Sequence, residues 1–215
     1  MLQESKLQPP DQELAVTRRR QIFLAVARVL ARKPFHQASV KEIAAEAGIA
    51  AGSIYVYLKS KDEMLLLIAE SMVGELAEEL PNIRQEARRD PRLELLGAMR
   101  AALDVIDRYR EAFAVLNHEV RYLERNPHYR QALKQAVRPY KEALAGPLEA
   151  GRERGLINFE SIPSAVEILH MLLSGWAMGG DFLAHTDKLA YWREITGIVE
   201  GRLFAPMAQT PDAES

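Results

Sequence analysis

Apolar residues in this 215-residue chain recur at intervals of three and four, and no segment shows the alternation of a half-buried strand. Ile22, Phe23, Val26, Val29 and Leu30 make one stripe; Met64, Leu65, Ile68, Met72 and Leu76 make another. Leu95, Leu96, Met99, Leu103 and Ile106 follow, and Leu189, Trp192, Ile195, Val199 and Leu203 close the series at spacings of 3, 3, 4 and 4. Such stripes bury one face of a helix and leave the other to water, so the class is all-α.

Prolines, glycines and capping side chains set the boundaries. The first helix runs from about Ala15 to Lys33, where Pro34 ends it. Asp90-Pro91 and Asn126-Pro127 each offer an N-cap followed by proline in the first turn. Ser161 with Pro163, and Thr186 or Asp187, open the last two helices, the earlier ending near Gly179-Gly180 or at Ala184. Gly155 suits a left-handed C-terminal cap. Two expectations rest on proline chemistry: Pro81 stops the helix that Asp62 and Glu63 open, and Pro139 and Pro147 kink or break the helix leading to Arg152.

The stretch SVKEIAAEAGIAAGSIYVYLKSK, residues 39–61, carries the functional signal. Ser39 with Glu42 is a capping-box pattern, Gly48 follows the first short helix, and a second runs from about Ala51 to Leu58. Ile54 and Leu58 share one face of it, leaving Ala51, Gly52, Ser53, Tyr55 and Val56 on the other. A face so small in side-chain bulk admits close approach, as a DNA major groove requires. Residues 1–61 hold ten Lys or Arg against five acids, so at an overall charge of −2 the remainder carries −7. A basic head on an acidic body fits one end meeting phosphates.

SVKEIAAEAGI and GSIYVYLKSK resemble the DNA-binding domain of the TetR family of transcriptional regulators, over Thr17 to about Glu70, about a quarter of the chain. The resemblance implies that Ser39 and Tyr57 touch phosphate, that Tyr55 reaches toward bases, and that Lys61 approaches the backbone with Lys59 beside it. It also implies close approach at Gly52 and contact through Ser53. The chain departs from the family pattern at Ala50-Ala51, where Ser-Lys is common, at Val56, and at Leu58 in place of Phe. Specificity then rests on Tyr55, apolar contact through Ala50, Ala51 or Val56, and DNA shape.

By the same resemblance the fold is an N-terminal three-helix helix-turn-helix head, residues 15–60, with a helical effector-binding and dimerisation body, residues 61–204, between mobile tails 1–14 and 205–215. The body, through YLERNPHYRQ and YWREITGIVEGRL, resembles the fatty-acyl-CoA-responsive branch. Expected pocket residues are Met99, Leu103, Phe113, Leu116, His118, Tyr122, Tyr140 and His170. Expected dimer contacts on the final helix pair are Leu169, Leu173, Trp176, Trp192, Ile195 and Val199, with Ser174, Gly175, Ala177, Gly179 and Gly180 allowing close packing. The partners implied are double-stranded operator DNA, a small-molecule effector and a second copy of the chain.

Glu167-x-x-His170 is half of a di-iron carboxylate pattern, but its required second pair is absent, so no metal or other cofactor is expected. The rival reading is a helical-bundle enzyme or metal-binding protein with an incidental basic head; no nucleophile motif or phosphate loop supports it. With no cysteine, no signal-peptide pattern and no run of roughly 18 apolar residues, a cytoplasmic protein away from membranes is expected.

Overall fold

The computed structural model describes residues 12–157, 159–178 and 187–203. Helix α1 (Gln12–Leu30) begins about a turn before Ala15 and buries Ile22, Phe23, Val26 and Val29 completely. A 3-10 turn at Phe35–Gln37 leads into α2 (Val40–Glu46), where Ser39 Oγ accepts the Glu42 N–H at 3.2 Å. The other half of the capping box is absent, because the Glu42 carboxylate pairs with Lys33 at 2.7 Å. At the far end Gly48 takes φ +64°, its N–H donates to Ala45, and the Ile49 N–H donates to Ala44. This paired closure satisfies the last carbonyls of α2 and needs a residue without Cβ strain at position 48.

The second helix of the unit is shorter and tighter than the spacing predicts: a 3-10 turn at Ser53–Val56 rather than an α-helix from Ala51 to Leu58. Ala50 and Ala51 supply no capping hydroxyl, and Gly52, in its N-cap position, makes no side-chain hydrogen bond. Ile54 and Leu58 are nonetheless buried on the inner side, as their spacing requires.

Helix α3 (Lys61–Ala87) passes from head to body and runs through Pro81, contrary to the expected stop. A proline ring removes one backbone bond, and packing around it outweighs that loss. Leu80 and Ala87 are buried, Ile83 packs against the core, and Arg84 pairs with Glu94 of α4 (Pro91–Arg108) at 3.1 Å. Helix α3 ends instead through Arg88 and Arg89, at φ 49° and 67°. The Asp90 carboxylate then accepts the Arg92 N–H at 2.8 Å, opening α4 as its sequence predicts.

Helices α5 (Arg110–Leu123), α6 (Pro127–Glu153) and α7 (Ile162–Met178) complete the body around α3 and α4. Asn126 caps α6, which continues unbroken past Pro139 and Pro147, with Pro147 buried. Gly155, at φ +69°, closes it. Helix α8 (Lys188–Leu203) is tied to α4 by Lys188, whose ammonium lies 2.8 Å from Asp104 and 2.9 Å from Asp107. The expected tails, the Gly179-Gly180 pair and the alternative boundaries at Ala184 and Thr186 lie outside the described residues.

Head and body meet at Glu75. This α3 carboxylate, 8% exposed, accepts the Tyr109 hydroxyl at 2.7 Å and Arg108 at 2.7 Å, and lies 3.6 Å from Arg20 of α1. The Tyr109 ring meets the wholly buried Phe23 of α1 edge to face, with centroids 4.7 Å apart. A buried carboxylate left without partners is costly, though Arg20 and Arg108 reach solvent and screen their share. Glu75→Ala is expected to lower unfolding free energy by about 2 kcal/mol in denaturant titration, and Glu75→Gln, which still accepts from Tyr109, by about half that.

Candidate nucleic-acid interface and internal cavity

Ser39, Ala50, Ala51, Gly52, Ser53, Tyr55, Val56 and Lys59 are all exposed on the head. Tyr55 and Val56, adjacent in the 3-10 turn, are 52% and 57% exposed. Tyr57 is half-buried against the core, its neighbours Ile54 and Leu58 beneath it.

Most of the head's positive charge is already engaged. Arg28 and Arg32 reach the Glu46 carboxylate at 2.6 and 2.5 Å, and these bonds, Arg32 foremost, hold that carboxyl below its usual range. Arg19 pairs with Glu70, Arg20 with Glu75, and Lys33 with Glu42. Lys61 donates to the carbonyls of Phe35 and His36 at 3.2 and 2.8 Å, fastening the start of α3 to the loop after α1. Its ammonium is therefore a structural tie first. Among the described head residues, Lys41 and Lys59 are the lysines without a side-chain partner, and Arg18 bonds only the neutral Gln21. Lys41, on the first turn of α2 behind Ser39, is the candidate that sequence reasoning overlooked. A charge count could not reveal it, because ion pairing is decided by the fold.

Inside the body lies a cavity of about 610 Å³, walled by α3, α4, α5, α6 and α7. That size suits a small-molecule site. Ala69, Met72, Val73, Leu76, Ala102, Val105, Ile106, Phe113, Leu116, Val120, Leu133, Val137 and Val166 make its apolar surface. Arg121, Arg130, Lys134 and Lys141 stand at its exposed edges with Glu124 and Glu167, and none of these six forms an ion pair among the described residues. Asn117 and a chain of three side chains supply the interior polarity. Tyr140 and His170 Nδ1 lie 3.1 Å apart, and His170 Nε2 lies 3.4 Å from Ser174 Oγ. Burial raises the Tyr140 hydroxyl above its ordinary value, with the Glu167 charge adding to it. Burial likewise lowers His170, Glu167 opposing and Lys141 assisting. The simplest proton arrangement has neutral His170 accepting from Tyr140 and donating to Ser174.

Of the expected pocket residues, Phe113, Leu116, Tyr140 and His170 line this cavity. Met99 and Leu103 do not; both are 0% exposed in the core. His118 and Tyr122 also fall away, on the outer face of α5. The lining positions Phe113, Leu116, Asn117, Val120 and Glu124 repeat at three and four, so positions 118 and 122 point the other way. The α6 row Arg130, Leu133, Val137 and Tyr140 was legible by the same spacing, but only Tyr140 was singled out.

The expected dimer residues divide similarly. Leu169, Leu173, Ile195 and Val199 are buried within the protomer, at most 2% exposed, and so have no free surface to offer. Trp176 donates to Asp107 at 2.8 Å under Arg110, and Trp192 lies beneath Arg100, both half-buried. The exposed large apolar residues of α7 and α8 are Ile168, Met171, Met178, Leu189 and Ile198, of which Met171 and Met178 also line the cavity. Among the described residues no cluster of three His, Asp or Glu could hold a metal ion, and no helix is long and apolar enough to cross a membrane.

Residues 22–68 match the family model described as bacterial regulatory proteins, tetR family. The chain is 30% identical over 138 residues to the fatty acid metabolism regulator protein of Bacillus subtilis (strain 168), spanning 64% of this chain and 69% of that protein. It is similar in fold to the transcriptional regulator FadR from Bacillus subtilis in complex with stearoyl-CoA, with TM-score 0.69 and 21% identity, over 84% of this chain and 96% of that one. The TetR family transcriptional regulator PfmR from Thermus thermophilus superposes with TM-score 0.66 at 17% identity, over 87% of this chain and 99% of that one.

A pH dependence follows from His170. Its folded value lies below the unfolded value of about 6.5, so the unfolded chain binds the proton first. Its contribution is present above about pH 6.5 and is lost as pH falls through the folded value. His170→Gln is expected to flatten the acid side of the stability curve below about pH 6.5, measured by thermal unfolding across a pH series.

Proposed function

The chain belongs to the tetR family of bacterial regulatory proteins and is a transcriptional regulator; we propose that it is a dimeric repressor released from its operator by an amphipathic anion of the acyl-CoA class. The observation carrying the effector class is the cavity itself: an apolar interior edged by four unpaired cations and two unpaired acids. An acyl chain suits the walls, and the phosphates of a coenzyme suit Arg121, Arg130, Lys134 and Lys141. The stearoyl-CoA bound to the Bacillus subtilis structure supports the same class.

On the head, Ser39, Tyr57, Lys59 and Lys61, joined by Lys41, meet phosphates, while Tyr55 and the surface from Ala50 to Ser53 with Val56 enter a major groove. The domain division is a head of residues 15–60 and a body from 61 onward. Two copies pair through α7 and α8, with Ile168, Met171, Leu189 and Ile198 supplying the apolar contact in front of the buried Leu169, Leu173, Ile195 and Val199. A two-fold dimer reads a pseudo-palindromic operator with half-sites about one helical turn apart. Effector binding disfavours that spacing through its preference for one of two dimer geometries, a coupling of about 1 to 3 kcal/mol.

The test is recovery and sequencing of genomic fragments retained by the purified protein, followed by anisotropy titrations on the fragment found. An inverted repeat is expected; retention without sequence preference contradicts the reading. Lys59→Ala is expected to weaken all sequences alike and to reduce the salt slope by about 1. Tyr55→Ala is expected to narrow the gap between operator and unrelated DNA by about tenfold, one base-reading contact's worth.

A further inference from the structure

Among the described residues, one hydrogen bond joins the head to α6. The Tyr129 hydroxyl in its first turn lies 3.3 Å from Ser60 Oγ. Ser60 is the N-cap of α3, accepting the Glu63 N–H at 3.2 Å, and it sits between Lys59 and Lys61 on the surface proposed to face DNA. Arg130, next to Tyr129, and Leu133, one turn on, line the cavity, and Arg130 and Lys134 have no ion-pair partner. The first turn of α6 therefore carries cavity wall on one side and a hold on the head on the other. By contrast, the Glu75, Tyr109 and Phe23 contact is buried and several bonds strong, which suits a pivot rather than a release point.

From this juxtaposition we infer that Tyr129 is a positioning residue: its bond to Ser60 holds the heads in the operator-binding arrangement, and an anion drawing Arg130 into the cavity edge breaks it. The inference rests on the proposed repressor reading and adds the residue through which the cavity acts. It has a signature that a purely structural role lacks. A bond present only in the operator-binding state, once removed, shifts the equilibrium toward the other state, so operator binding weakens while effector binding strengthens. The two changes multiply to about fivefold, the equilibrium factor of one neutral hydrogen bond, so an even split is about twofold in each.

Tyr129→Phe tests this, since it deletes only the hydroxyl and leaves the ring against His128, whose centroid is 5.4 Å away. Three quantities are measured on the full-length variant and wild type. These are operator affinity without effector, stearoyl-CoA affinity without DNA, and hydrogen exchange of the peptide spanning residues 53–63, with melting temperature as a control on folding. The inference expects weaker operator binding, faster exchange over 53–63 and tighter stearoyl-CoA binding, the two affinity changes multiplying to about fivefold, at an unchanged melting temperature. Unchanged exchange and operator affinity overturn it, as does weaker operator binding accompanied by weaker stearoyl-CoA binding. If wild type binds no stearoyl-CoA, the acyl-CoA class fails, and exchange together with operator affinity still decide for or against Tyr129.

Discussion

Everything in this molecule hangs on one helix shared between two jobs, and on the buried carboxylate at its middle. Helix α3 begins just after the 3-10 turn at Ser53–Val56 and ends in the body. On one side Glu70 and Glu75 hold Arg19 and Arg20 of the head; on another Met72, Val73 and Leu76 face the cavity. Glu75 also grips Tyr109, whose ring is packed against Phe23, and Tyr109 stands three residues beyond Ile106 in the cavity wall. A head of about 45 residues has too little core to be stable by itself, so it leans on this junction. The same dependence gives the cavity a physical route to the head.

The distribution of charge sharpens what the head can do. The head carries a surplus of basic residues, yet Glu42, Glu46, Glu70 and Glu75 hold Arg19, Arg20, Arg28, Arg32 and Lys33 in ion pairs. Arginines so used tie α1 and the loop after it to α2 and α3. Among the described head residues, the charges that remain without an ion pair or backbone tie are Lys41, Lys59 and Arg18, beside the exposed face around Tyr55. Modest electrostatic affinity per head favours a protein that needs two heads at a fixed spacing.

Local chemistry was legible wherever a single residue decides the outcome. Ser39, Asp90 and Asn126 cap as their types require, and Gly48 and Gly155 take the left-handed positions their places demand. Packing was not legible. Pro81, Pro139 and Pro147 stay within helices that pack along their length against the rest of the body, although Pro81 itself is exposed. Leu169, Leu173, Ile195 and Val199, expected at a dimer interface, lie in the chain's own core. Sequence spacing identifies which residues share a face; it does not say what the face meets.

The central claim is that cavity and reading surface are two ends of one equilibrium. Linkage makes the effect mutual: whatever factor the effector takes from operator affinity, the operator must take from effector affinity. The direct measurement is calorimetric titration of stearoyl-CoA into the protein alone and into its saturated operator complex. The account predicts weaker stearoyl-CoA binding to the complex, by the same factor with which stearoyl-CoA weakens operator binding, about 5- to 150-fold. Equal affinity for free and operator-bound protein would contradict it.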